Sequence, residues 1–284
     1  MSTLKTTNLQ NASAASPALV LNADGTCSQL GVRNAIINGN PIINQRGYVS
    51  GTATSGANQY TLDRWRVVTS GQSITFTDSD NVRTVTTPAG GLEQVIEGIN
   101  LITGTYTLNW TGTATATVAG NAVAKGGNVS ITGATDTTLR FSSGTVSLVQ
   151  FEPGTVATPF ERRSYGQELA LCQRYYQRTT AETASATLLT GVICSGASSG
   201  NGGFNLIGVM RTTPTLDSSA ANTFVYSDGV NGTACTAVSL AGSQSNSKTA
   251  AINFSTAGGL TQFRLYRIEA NSSATAFLGF SSEL

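Results

Sequence analysis

The residues able to do chemistry are few. Histidine is absent, so the commonest general base and a mixed Cys/His zinc site are both missing. The four cysteines, Cys27, Cys172, Cys194 and Cys235, form no CxxC pair and follow no regular spacing. They read as small buried apolar residues of a chain assembled in a reducing compartment, with no disulfide required. Cys172 falls on an apolar helical stripe with no base beside it in sequence, so a packing role is expected rather than a reactive thiol. Glycoside hydrolysis would need two carboxylates at a set separation. Glu93, Glu97, Glu152 and Asp228 are candidates that spacing alone does not bring together. Asp63-Arg64-Trp65 could present an indole to a sugar ring. The expectation is instead that Trp65 fills a core while Asp63 and Arg64 pair at a strand start. The best ligand-binding candidates are Tyr226, Asp228 and Asn231. They combine an aromatic, a carboxylate and an amide on a Gly-flexed turn. The competing reading is a plain hairpin loop with Tyr226 packed inward.

Composition says what must position these groups. Charged residues are 11% of the 284, the hydrophobic fraction is an ordinary 39%, and the difference is made up by Ser, Thr, Asn, Ala and 31 Gly. Such a chain lacks strong helix formers and favours pleated strands joined by Gly-rich turns. A formal net charge of +1 offers no general field for nucleic acid or an anionic membrane. Arg162, Arg163, Arg174 and Arg178, flanked by Glu161 and Glu168, read as solvated or interface charges. No apolar run has the length of a signal-peptide core or a membrane span, so neither membrane insertion nor a secretory leader is expected. No metal or cofactor is expected.

Residues 1–32 carry isolated leucines among polar residues, too little to build a core. They are expected to form an extended, strand-like arm that orders against partners, the competing reading being a disordered tail. From 33 to 163 short strands alternate with turns: 60–69, 73–77, 82–86, 104–111, 113–118, 128–132 and 145–151. In Gly104–Thr111 the residues Tyr106, Leu108 and Trp110 share one face. Residues 164–180 are expected to hold a connector helix from Tyr165 to about Arg178. Its stripe is Leu169, Cys172 and Tyr176, broadened by Leu171 and Tyr175. Residues 181–284 return to β signals, with strands expected at 187–194, 204–210, 223–227, 234–240, 249–254, 262–270 and 274–280. The fold class expected is all-β: an extended arm, a β-sandwich or jelly roll, a short helix and a second sandwich.

Several motifs carry a resemblance. RNAIINGNPIINQRG (33–47), YTLDRW (60–65), LEQVIEG (92–98), SLVQFEPGTVATPFERRSYGQELALCQRYYQR (147–178), VMRTTPTL (209–216) and the terminal GFSSEL resemble signatures of bacteriophage tail-fibre and receptor-binding proteins. The opening MSTLKTTNLQN is similar to fibre proteins of short-tailed phages of marine cyanobacteria. Pro41-Ile42-Ile43-Asn44 departs from the family, which often has an aromatic there. The resemblance implies a carbohydrate-binding-like jelly roll and homotrimeric packing in a virion appendage assembled in the host cytoplasm. It also implies attachment to tail or adaptor proteins through residues 1–32, and non-catalytic, multivalent adhesion to a host glycan or protein through 181–284. Two alternatives stay open: a capsid-surface decoration or head fibre, and a polysaccharide depolymerase spike.

Overall fold

The computed structural model describes residues 33–284 and, before them, three short strands, Asn8–Leu9, Leu19–Leu21 and Cys27–Ser28, paired antiparallel in sequence order. Apart from these strands, the arm expected over residues 1–32 lies outside the described residues, as does the Cys27 side chain. The described chain is all-β, with one short α-helix, and it divides into two compact units. Residues 33–42, 49–61 and 65–163 form the first. Residues 43–48, 62–64 and 164–284 form the second.

The first unit is a two-sheet sandwich. One sheet runs in the order Asn121–Val123, Thr115–Val118, Thr137–Ser142, Leu92–Ile96, Arg66–Val67, Gln59–Tyr60. The other runs Gly127–Ile131, Gly104–Thr111, Gly144–Pro153, Val82–Thr87, Thr75–Ser79. Apart from three hairpins, every connection carries the chain from one sheet to the other. Period-2 alternation gives strands such as Gly104–Thr111 and Thr137–Ser142 an inward face to bury between the sheets. Tyr106, Leu108 and Trp110 all point inward as expected. Trp110 meets Phe141 of the opposite sheet edge-on at 5.3 Å, and Phe141 in turn packs against Trp65. Both indoles are core.

The expected strand 60–69 is interrupted. Gln59–Tyr60 and Arg66–Val67 pair with each other across a tight turn in which Arg64 takes φ 70°. That conformation ends a strand.

Residues 33–40 are buried or half-buried but form no ladder: the Ala35 amide and the Gly39 carbonyl bond the main chain of Phe151 and Val149 (2.8 Å each), and side chains satisfy other backbone groups. Asn34 Oδ1 accepts from the Ile36 and Phe151 amides (3.1 and 3.0 Å), and its Nδ2 donates to the Val149 carbonyl (2.9 Å). Gln94 brackets Ile37, accepting from its amide at 2.9 Å and donating to its carbonyl at 2.7 Å. Glu161 accepts from the Arg33 and Asn34 amides (2.6 and 2.9 Å). Arg163 donates to the Ile36 and Asn34 carbonyls. Trp65 Nε1 donates to the Asn38 carbonyl at 2.9 Å. Gly39 follows Asn38 because a Cβ there would stand 2.3 Å from the Val149 carbonyl oxygen.

In the second unit the helix is shorter than expected, Tyr165–Gln173. Ser164 caps it reciprocally with Gln167, an S-x-x-Q box. Tyr175 and Tyr176 do not extend its stripe, because Tyr176–Thr180 leaves the helix and pairs with Phe277–Ser281. Aromatic and β-branched residues favour that outcome. Leu169 is only half-buried and Leu171 is exposed, so Cys172 is the helix's buried residue. Thr215–Ser218 completes a three-stranded sheet on the other side of Phe277–Ser281.

The second sandwich expected over 181–284 is instead a closed barrel. Its order is Thr187–Cys194, Ser199–Asn205, Thr249–Thr256, Gly232–Leu240, Phe224–Ser227, Leu265–Ala270, and back to the first. Closure leaves no free edge. The glycine-rich stretch 196–203, lying between the expected strands 187–194 and 204–210, is in its second half part of the strand Ser199–Asn205. A Cβ at Gly200 would lie 2.9 Å from Tyr226 Oη, and one at Gly202 would lie 2.8 Å from Val192 and 2.9 Å from Leu189. Glycine is therefore what lets this strand approach a narrow interior filled by Leu189, Val192, Tyr226, Phe254, Tyr266 and Ile268.

Two stability outcomes follow. Gln94→Leu leaves two partly buried backbone groups of Ile37 without this partner and should cost about 1–3 kcal/mol in all. Denaturant unfolding of the full chain checks this, and a wild-type midpoint would refute it. Cys172→Ser should cost about 1–3 kcal/mol by burying a hydroxyl. Cys172 is fully buried, and desolvation pushes its thiol pKa well up. Rapid labelling of Cys172 in the native state would contradict its burial.

Candidate functional site

The barrel wall carries an outward concavity where two irregularities meet. Thr187–Cys194 and Leu265–Ala270 pair antiparallel, but the register shifts between Leu189 and Val192. The extra residue there is accommodated at Thr190-Gly191, with Gly191 at φ 74°. A bulge of this kind kinks a strand and re-aims the side chains beside it. Along Leu265–Ala270 the alternation is clean. Tyr266, Ile268 and Ala270 point into the barrel, while Leu265 and Arg267 point out. The end of Phe224–Ser227 supplies Ser227 and then Asp228. Thr190, Gly191, Ser227, Asp228, Leu265, Tyr266 and Arg267 line a shallow cleft of about 260 Å³.

The loop bordering the cleft is held by one carboxylate. Asp228 Oδ1 accepts from the Val230 amide at 2.9 Å and the Asn231 amide at 2.7 Å. Its Oδ2 lies 2.9 Å from Arg264 Nη2. The Asp228 amide donates to the Asn231 carbonyl (3.2 Å), and the Gly229 amide donates to Ser227 Oγ (3.2 Å). Backbone hydrogen bonds first, and Arg264 after them, hold the Asp228 carboxyl below its usual range. Arg267 is ion-paired with Glu269. Exposed apolar side chains surround this polar centre: Val230 is 89% exposed, Phe263 78%, Leu265 62% and Ile193 54%. Ile193 and Leu265 are direct cross-strand partners. Phe263 takes φ 62°, a sparsely populated conformation for a bulky residue. Balanced charges, hydroxyls and open apolar surface are groups suited to reversible recognition of a polar ligand.

Of the three residues singled out from sequence, the structure withdraws one from the surface. Tyr226 is fully buried, its phenol donates to the Phe254 carbonyl at 2.8 Å, and its ring packs edge-on against Phe254 and Tyr266. The reason is phase: Tyr226 belongs to the inward set with Phe224. Asp228 and Asn231 do share the loop, with Asn231 exposed. Sequence reasoning missed Arg264, Arg267 and Phe263. Leu265 and Arg267 were findable, because they alternate with Tyr266 and Ile268. The positive φ of Phe263 has no sequence signal.

Two of the carboxylates considered for hydrolysis, Glu93 and Glu152, are tied elsewhere. Glu93 sits between Arg66 (3.1 Å) and Arg140 (3.6 Å). Glu152 is buried, accepting from the Thr158 amide and hydroxyl and from Gln150. Arg163 and Arg178 of the basic cluster are also structural. Arg178 stacks on Phe277 at 3.6 Å and donates to Thr180 Oγ1 and the Arg46 carbonyl.

Comparison with protein-family models, with curated proteins and with solved structures finds no match for this chain.

The sign of the Asp228 perturbation gives a pH outcome. Its folded pKa is depressed, so its contribution to loop order is fully present above the unstructured value of 3.8 and is lost as pH falls through the folded value. The Val230 and Asn231 amide resonances should be constant from neutrality down to about pH 5 and move only in stronger acid. Asp228→Ala should shift both at every pH. An unshifted pair in that variant would show that the carboxylate does not organise the loop.

Proposed function

We propose that the chain is a non-catalytic structural protein of a bacteriophage particle, a tail-fibre or receptor-binding subunit acting as a homotrimer. In this reading residues 1–32 attach to tail or adaptor proteins, and the barrel faces the host surface. The observation that carries it is motif content joined to strand order. From Val82–Thr87 to Gly144–Pro153, eight strands, four in each sheet, pass between the sheets at every connection but the hairpin Thr115–Val118 to Asn121–Val123, an order consistent with a jelly roll. The segment 147–178, the most specific of the fibre-like motifs, begins on the last of those strands and ends in the strand that opens the second unit's small sheet. The outward cleft and the apolar residues around it supply a contact surface of modest size. Three copies per fibre would raise weak contacts to useful avidity.

Antibodies against the full chain should decorate tail appendages in electron micrographs of the particle, and their Fab fragments should block adsorption to host cells. Decoration confined to the head would instead favour the head-fibre alternative. Release of reducing sugar from purified host polysaccharide by the chain would favour the depolymerase. Either result overturns the adhesion reading.

A further inference from the structure

The sequence holds three Asn-Gly pairs, Asn38-Gly39, Asn201-Gly202 and Asn231-Gly232. Asn-Gly is the pair most open to spontaneous imide formation, because glycine's amide nitrogen carries no neighbouring side chain to block its approach to the Asn carboxamide. The fold treats the three differently. Asn38 is fully buried, and Gly39 is wedged against the Val149 carbonyl, which it faces too closely to admit even a methyl. Gly202 lies inside the strand Ser199–Asn205 opposite Ile252, and the Asn201 carboxamide is engaged by Gln244 (2.9 Å) and Asn253 (3.1 Å). Cyclisation at either would require opening a buried ladder or strap. Asn231 is exposed, and Gly232 is the terminal residue of its strand, opposite Ser227 in the last pair before the loop. The end pair and the exposed Asp228–Asn231 turn bonds must open there, and no buried ladder or core contact has to.

We propose that Asn231 is a self-modification site, converting to aspartate and isoaspartate in the folded protein while Asn38 and Asn201 persist as amides. The Gly232 nitrogen, after losing its proton to hydroxide, attacks Asn231 Cγ. The new C–N bond closes a five-membered imide, and the Cγ–Nδ2 bond breaks with release of ammonia. Water then opens the ring at either carbonyl. No electrons are exchanged, and water is the only co-reactant.

The consequence is local and electrostatic. The Asn231 backbone amide donates to the Asp228 carboxylate at 2.7 Å, which keeps the two side chains on one turn. Conversion places a second carboxylate on the loop that Asp228 holds, where the two can compete for Arg264, with Arg267 Nη2 close to Gly229. The isoaspartate product also lengthens the backbone inside a turn closed by the Asp228–Asn231 hydrogen bond. The loop beside the cleft therefore gains negative charge and loses its internal clasp. The chemistry stands without the adhesion reading, and only an effect on host contact would rest on it.

The full chain is incubated at mildly alkaline pH and 37 °C (about 310 K) for as long as a urea-denatured sample needs to convert all three sites, followed by peptide mass mapping. The expected result in the folded chain is conversion at Asn231 about tenfold or more faster than at Asn38 and Asn201, with none at position 231 in Asn231→Gln. Retention of the Asn231 amide in the folded chain, or equal rates at all three sites, overturns the proposal.

Discussion

A buried backbone group must find a partner, and along residues 33–40 this protein meets that demand largely with side chains rather than with a strand ladder. Residues 33–40 lie along the sandwich core, where a continuous ladder would settle the account by itself. Instead Asn34, Gln94, Glu161, Arg163 and Trp65 each contribute a bond to a main-chain amide or carbonyl. Partially satisfied, such a network would be worse than an apolar core; with its bonds made, it fixes one conformation. The strands on which the rest of the unit depends, Leu92–Ile96 and Gly144–Pro153, are both tied to it, through Gln94 and through the Val149 and Phe151 backbone.

The second unit repeats the strategy with charge. The Glu283 carboxylate is bound by Arg64 and by Arg46 (3.2 Å). Those guanidiniums lie 3.6 Å over the rings of Tyr175 and Tyr176 respectively. Arg211 holds the Ser282 and Glu283 carbonyls at 2.8 and 2.9 Å, and the Ser282 amide donates to the Tyr175 carbonyl at 2.8 Å. Asp63 accepts from the Gln45 amide, and Gln45 donates on to the Tyr176 carbonyl. A buried charge lacking its partner is strongly destabilising, so each member of this set constrains the others. Burial raises the Asp63 pKa, with the Gln45 hydrogen bonds and Arg46 opposing the shift.

These two networks explain what was legible in the sequence and what was not. Polar motifs at Asn34, Gln45-Arg46, Asp63-Arg64, Gln94, Glu161, Arg211 and Glu283 stand out in a chain so poor in charge, and polar residues in such settings invite a functional reading. Their bonds show that they are fasteners. Spacing along the chain did not reveal that residues as distant as Arg64 and Glu283 meet. Alternation was more informative: it placed Tyr106, Leu108 and Trp110 inside, and it identified an all-β chain. It failed where glycine acted as a packing residue, at Gly200 and Gly202, because a glycine run carries the same signal whether it turns or threads a narrow barrel. It also failed at Tyr175-Tyr176, where a helical spacing continued past the point at which strand pairing took over.

The candidate surface was the least legible part, for a related reason. The Asp228 loop was visible as a turn, but whether its aromatic faced solvent depended on strand phase, and phase depends on where Phe224–Ser227 begins. Once Tyr226 is inside, the exposed aromatic near the cleft is Phe263, held out by a left-handed backbone that no residue type announces. The contrast between the two classes of polar residue is then a physical one. Fasteners such as Gln94 and Arg64 are buried, and their bonds hold main chain or an opposite charge in place. Asp228 instead spends its bonds on a loop of its own, beside exposed Val230, Leu265 and Phe263. An ordered, charge-balanced loop amid uncovered apolar side chains adds little to the core. It sets the shape of a surface that another molecule can meet without first reordering it.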